Sequence, residues 1–92
     1  MRLLVLKTSA QMDEHGAQAS RDMIAASKTS VPIMAQTILD RCMQMHGAGG
    51  LTEDYFMAEA FSYARWCRQA DGPDQVHQMA LGKQIIDRYA PA

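Results

Sequence analysis

Disulfide chemistry, one-sided charge and long apolar runs are all missing from this chain. Its two cysteines, Cys42 and Cys67, lie far apart and form no Cys-x-x-Cys or Cys/His pattern. A disulfide framework and a structural zinc site are excluded, and two reduced, buried thiols of an intracellular protein are expected. Nine Lys and Arg against ten Asp and Glu give a formal net charge of -1. No global field therefore attracts nucleic acid or an anionic membrane. Arg65-Trp66-Cys67-Arg68 does place guanidiniums near an aromatic ring, but at helical spacing it reads as a solvated edge beside a core face. Leu3 to Leu6 is an apolar run of four between Arg2 and Lys7. A signal-peptide core needs about 7–15 such residues and a membrane span about 20. A soluble, cytoplasmic protein without a membrane span is expected. No stretch alternates with period two long enough to make a strand.

What remains is helical. Of 92 residues, 48 % are hydrophobic and 21 % charged, which suits one small globular domain with a thin core. Eight methionines are many for that length. Methionine fills irregular gaps and recurs on adaptable contact surfaces, so they indicate either a loosely specified core or a face directed at another subunit.

Apolar residues at Leu3, Leu4, Leu6, Ala10 and Met12 predict a first helix from Met1 to about Glu14, without an N-cap before it and stopped by Gly16. Such an uncapped start is expected of a truncated element. A second helical pattern runs from Ala17 to His46 through Met23, Ile24, Ser27, Val31, Met34, Ile38, Cys42 and Met45. Pro32 interrupts it and predicts a bent helix, or two shorter ones. After Gly47-Ala48-Gly49-Gly50, Thr52 is the expected N-cap of a third helix reaching about Gln69. A fourth is expected from Pro73 to about Tyr89, stopped by Pro91. The fold class is all-α: an antiparallel bundle of about four helices with short connections.

Candidate chemistry gathers at two connections. The Gln44-Met45-His46-Gly47-Ala48-Gly49-Gly50 loop could bring backbone N–H groups close to a phosphate. No Lys-Ser/Thr follows and no strand precedes, so neither a P-loop nor a dinucleotide fingerprint is present. A tight interhelical turn is the plainer reading. The second connection is Ala70-Asp71-Gly72-Pro73-Asp74-Gln75-Val76-His77. Here Asp71 can cap, Gly72 allows a positive φ, and Asp74 lies in a helical first turn that favours a carboxylate. Asp71 is either a cap or, if burial raises its pKa or excludes water, a base. Asp74 and His77 share a di-iron half-site spacing, but the inward carboxylates of such a site are missing and no metal is expected. His15 and His46 lie at helix C-termini, where capping accounts for them.

Taken together, Gln44-x-His46-Gly47-x-x-Gly50-Leu51, the Arg65/Arg68 helix and Ala70-Asp71-Gly72-Pro73-Asp74-x-Val76-His77 resemble the C-terminal helical domain of the FAD-dependent acyl-CoA dehydrogenases. The likeness is to the branch whose catalytic turn reads Asp-Gly-Pro. Arg2 to Lys7, Met12-Asp13-x-x-Gly16, Lys28, Pro32, Met34-Ala35-Gln36 and Leu39-Asp40-Arg41 extend it over nearly the whole chain. The resemblance implies that Asp71 is the base removing the α-proton of a fatty acyl-CoA. It implies flavin contacts at Gln44, Gly47, Ala48, Gly50 and Gln75, those of the loop reaching the FAD of a neighbouring subunit. Ala48 departs from the family's usual glycine, and an alanine resists positive φ. The family's N-terminal helices and β-domain have no counterpart in the chain. A single domain over residues 1–92 is therefore expected, inactive alone and completed by a homo-oligomer or by a chain that supplies those parts. The alternative is a non-enzymatic helical interaction module that has lost catalysis; apolar arcs on several helix faces favour self-association in either case.

Overall fold

The computed structural model describes residues 1–91. Its α-helices are α1 (Arg2–Ala19), α2 (Arg21–Met45), α3 (Met57–Cys67) and α4 (Asp74–Tyr89), and a 3-10 turn (Gly47–Leu51) follows α2. No strand occurs among the described residues. The all-α antiparallel bundle expected from the sequence is the observed fold.

The long second helix is the hub, packing against α1, α3, α4 and the 3-10 turn. Gly16 breaks α1 with a positive φ of 83°, and the chain folds back through fully buried Ser20, whose Oγ donates to the Gly16 carbonyl. The returning α2 then lays Ser27 against Thr8, their hydroxyls 3.0 Å apart. Pro32 does not split α2, which is continuous from Arg21 to Met45 and keeps Pro32 buried. An antiparallel α4 is tied to α2 at both ends, Arg68 and Asp74 with Gln36 at one and Arg88 with Asp22 at the other.

Two starts differ from the sequence reading. Thr52 does not cap α3: its hydroxyl donates to the Gly49 carbonyl and accepts the Asp54 N–H, closing a local turn that delays the helix to Met57. Asp71 does not cap α4 either. Extended Pro73 occupies that position, so the first helical residue is Asp74.

The core is as thin as the composition implies: Ala25, Met57 and Ala64, with Pro32, are the buried apolar side chains among the described residues. Phe56, Tyr63, Trp66, Met79, Ile86 and Tyr89 are all exposed. A compact monomer of this mass would expose about 5,300 Å², whereas this chain exposes 6837 Å². Its radius of gyration is 16.5 Å, against about 12 Å for a compact domain of this length. The helices thus leave apolar faces that no other part of the domain covers.

Two substitutions test the packing. A Cβ on Gly50 would lie 2.5 Å from the Met43 carbonyl oxygen and 3.0 Å from its Cα. Both are backbone atoms, so Gly50→Ala is expected to cost about 1–3 kcal/mol in urea unfolding. Nothing lies within 4 Å of a Cβ on Gly82 in mid-helix, and Gly82→Ala is expected to stabilise by about 0.5–1 kcal/mol.

The Arg88–Asp22 pair makes a weaker, pH-dependent contribution. The guanidinium, 2.8 Å away, holds the Asp22 carboxyl below its ordinary value of 3.8. For a depressed carboxylate, stability is present above the unfolded value and is lost as pH falls through the folded one. Arg88→Met is therefore expected to lower the unfolding free energy slightly at neutral pH, by no more than about 1 kcal/mol for so exposed a pair. The gap from wild type should close below about pH 4.

Candidate functional site

The α3–α4 connection is fixed from three sides. From α2, Lys28 Nζ donates to the Cys67 carbonyl at the end of α3, where the negative end of the helix dipole favours an ammonium. Within the turn, the Asp74 N–H donates to the Arg68 carbonyl at 3.1 Å. Arg68 Nε in return donates to Asp74 Oδ2 at 2.7 Å, while its Nη1 donates to Gln36 Oε1 at 2.8 Å. Asp74 is buried, with its side chain 5 % exposed. From α4, His77 Nε2 donates to the Asp71 carbonyl at 3.1 Å.

The two aspartates of this turn therefore have separate roles. Asp74 carries the ion pair, with its Oδ1 left without a partner. Asp71 is exposed, and its carboxylate and its own N–H have no hydrogen-bond partner among the described residues. Its φ of 55° makes it the one non-glycine residue in the left-handed region among those described. This conformation costs most non-glycine residues about 1–2 kcal/mol, and aspartate and asparagine enter it more readily than the others. Gly72 follows at φ 104°.

Asp71 lines an open groove of about 600 Å³ bounded by α1, α2 and α3. Val5, Met12, Ile24, Val31 and Trp66 supply its apolar walls. A second apolar groove of about 580 Å³ shares Val31, Pro32, Tyr63 and Cys67 with the first and continues along α2 and α3 toward Leu39 and Phe56. A carboxylate at the end of an apolar trough is a suitable place to receive a proton from a long apolar substrate.

The glycine loop lies at the other end of α3, whose 11 residues separate it from Asp71 by about 16 Å of helix. The two motifs can therefore touch different ends of an extended ligand but not one small group. Gly47, with φ 61°, carries the loop's positive φ, so Ala48 is spared that conformation. Gln44, Gly47 and Ala48 are exposed around an open depression of about 330 Å³. Gly50 is buried against Met43 and shapes the loop from inside. Asp40 lines the same depression and disfavours a phosphate there, so the contacts on offer are neutral, from the Gln44 amide and the backbone. Gln75 is exposed in the first turn of α4. His46 caps α2, Nδ1 donating to the Cys42 carbonyl at 2.8 Å, and packs on Tyr55 with ring centroids 5.0 Å apart. His15 instead lies 3.6 Å from Glu14.

Sequence reasoning missed the clamp of Lys28, Gln36, Arg68 and His77. A usable signal was present in part: Arg68 and Asp74 flank the turn symmetrically, as opposite charges bridging a short connection do. No helix is long and apolar enough to cross a membrane, and no cluster of three metal-binding side chains occurs among the described residues.

Comparison with known proteins gives one consistent result. Residues 1–86 match the family model of the acyl-CoA dehydrogenase C-terminal domain. Acyl-CoA dehydrogenase family member 10 of Mus musculus is 48 % identical over 85 residues, covering 92 % of this chain and 8 % of that protein. Acyl-CoA dehydrogenase family member 11 of Rattus norvegicus is 41 % identical over 90 residues, covering 98 % of this chain and 12 % of its own length. Among solved structures, a Mycobacterium abscessus protein assigned to the acyl-CoA dehydrogenases superposes with a TM-score of 0.94 at 38 % identity, over 97 % of this chain and 22 % of that one. The chain thus spans less than a quarter of the length of each of these proteins. By sequence over most of its length, and by fold, the chain belongs to the acyl-CoA dehydrogenase family and corresponds to its C-terminal helical domain.

Proposed function

We propose that this chain is the C-terminal domain of an FAD-dependent dehydrogenase of the Asp-Gly-Pro branch, acting on fatty acyl-CoA, and that Asp71 is its base. The observation that carries this reading is the division of labour in the turn. Asp74, Arg68, His77 and Lys28 hold the backbone, while Asp71 adopts a left-handed conformation beside an apolar groove and its carboxylate and N–H make no hydrogen bond among the described residues. Freed from capping, it serves a reaction.

In this mechanism the groove walls hold the acyl chain and keep water from the reacting carbons. An Asp71 carboxylate oxygen accepts the α-proton, and the unpaired Asp71 N–H donates to the thioester carbonyl as negative charge develops there. The chemistry that FAD supplies when bound is acceptance of the β-hydride. Gln75 on α4 would hold it, and Gln44, Gly47 and Ala48, in a loop shaped by Gly50, would hold the FAD of a neighbouring subunit. Aspartate is one methylene shorter than glutamate, so the acyl group must approach Asp71 closely. The proposal also makes the uncovered faces of α3 and α4 surfaces for the rest of a dehydrogenase, in a homo-oligomer or on a partner chain. Half-buried free thiols at Cys42 and Cys67 suit the reducing cytoplasm.

The alternative, an interaction module without catalysis, draws on the same excess surface. Joining the chain to the preceding domains of the M. abscessus relative separates the two. A yellow protein that reduces a dye with acyl-CoA is expected, while the chain alone stays colourless; a well-folded, colourless fusion would favour the module.

A further inference from the structure

We propose that His77 is a positioning residue for Asp71, holding it in its left-handed conformation through the Asp71 carbonyl. Three independent features converge on this. His77 Nε2 lies 3.1 Å from the Asp71 oxygen, and the carbonyl must accept, so the ring carries its proton on Nε2. Asp71, the residue so held, is the one non-glycine residue at positive φ among those described. Its side chain makes no hydrogen bond among the described residues, so the contact at its carbonyl is the one that can hold this conformation. Finally, a Cβ on Gly72 would lie 3.1 Å from His77 Nε2. Gly72 thus serves two ends: it takes its φ of 104°, and it leaves room for the imidazole to reach over it to Asp71.

The spacing of Asp74 and His77, one helical turn apart on α4, acquires a meaning other than metal binding. Asp74 secures the turn to α3 through Arg68, and His77 secures it at Asp71. With the carbonyl held, the Asp71 Cα–Cβ bond keeps a fixed direction at the rim of the groove. The functional meaning of this inference rests on Asp71 being the base; its geometric content concerns the turn alone.

The test uses the full chain, free of ligands, as wild type, His77→Gln and His77→Leu. Long-range nitrogen–proton correlation of the imidazole should show the proton on Nε2 in the wild type. The Asp71 carbon shifts and intraresidue amide–Hα contact should report positive φ in wild type and in H77Q, whose side-chain amide can donate in place of the imidazole. In H77L that signature should be lost. The Asp74 amide, bonded across the turn, should exchange about tenfold faster in H77L, the factor one net hydrogen bond is worth, while the α2 amides exchange as in the wild type. A wild-type ring protonated on Nδ1 would overturn the proposal, even if H77L failed to fold. So would an H77L turn with Asp71 still at positive φ and unchanged exchange, or an H77Q turn as disordered as that of H77L. None of these readouts depends on catalysis. An Asp71→Asn dehydrogenase with full activity would refute the base and leave the His77 result standing, and the converse holds.

Discussion

Arg68→Met is expected to lower the unfolding free energy by about 3–5 kcal/mol, the cost of removing one partner from a buried ion pair. The Asp74 side chain is 5 % exposed and already has one oxygen unpartnered, so losing Arg68 would leave a buried carboxylate with no side-chain donor. Its place in the first turn of α4 offsets a small part of that cost through the helix dipole. Gln36 Oε1 would lose its donor as well. For a chain of this size the loss corresponds to a fall of about 12–40 °C in melting temperature, against a total stability of about 5–14 kcal/mol. Arg68→Lys should recover only part of it, because an ammonium cannot bridge Asp74 and Gln36 with the fixed fork of a guanidinium. Thermal unfolding of the three proteins at neutral pH checks the prediction. A variant within 1 °C of wild type would show that the pair is not what joins α3, α4 and α2, a threshold well inside the shift of about 4–8 °C per kcal/mol.

That clamp marks where the sequence stops being readable. Backbone-encoded features were visible. Gly16 at φ 83°, Gly47 at φ 61° and Gly72 at φ 104° each lie where a glycine among helical residues marks a stop. The continuous α2 with a buried Pro32 also falls within one of the two sequence readings. Features that depend on which of several polar side chains wins a local competition were not visible. Thr52 looks like a cap because a hydroxyl precedes two acids, yet it bonds backward to Gly49 and spends its acceptor on Asp54. Asp71 precedes Pro73, whose extended backbone places the helix start beyond the reach of a cap three residues away from Asp74. Arg68 reads as a solvated edge because its partners, Gln36 and Asp74, are brought to it only by the fold. On α3 the apolar arc suggests a larger core than exists. Met57 and Ala64 are buried, but Phe56, Tyr63 and Trp66 are not, and no other described element covers that side.

For the candidate site the balance is similar. The turn and the loop stand out in the sequence, because the likeness to the family is carried by short motifs at fixed spacing. Their division of labour was not. Sequence reading leaves Asp71 and Asp74 as two acids near one helix start; the structure makes one an ion-paired anchor and the other a free carboxylate beside an apolar groove. Likewise Gly50 belongs to the glycine loop by motif, and the structure adds a packing reason for it at Met43.

The larger expected effect is on chemistry. Asp71→Asn keeps the size and polarity of the side chain and, with its N–H unchanged, its donor to a thioester carbonyl. It removes the negative charge and with it the capacity to take a proton. General-base catalysis contributes about 10²–10⁴ in rate, and the substitution should lower the reductive step by that factor with little change in acyl-CoA affinity. Asp71→Glu should retain most of the rate, since it restores a carboxylate on a longer arm. The decisive measurement is the rate of flavin bleaching by acyl-CoA in a single turnover, with this chain joined to the preceding domains of the M. abscessus relative. Asp71→Asn is expected to bleach about 10²–10⁴-fold more slowly than wild type and Asp71→Glu close to it; an Asp71→Asn protein that bleaches at the wild-type rate would contradict Asp71 as the base.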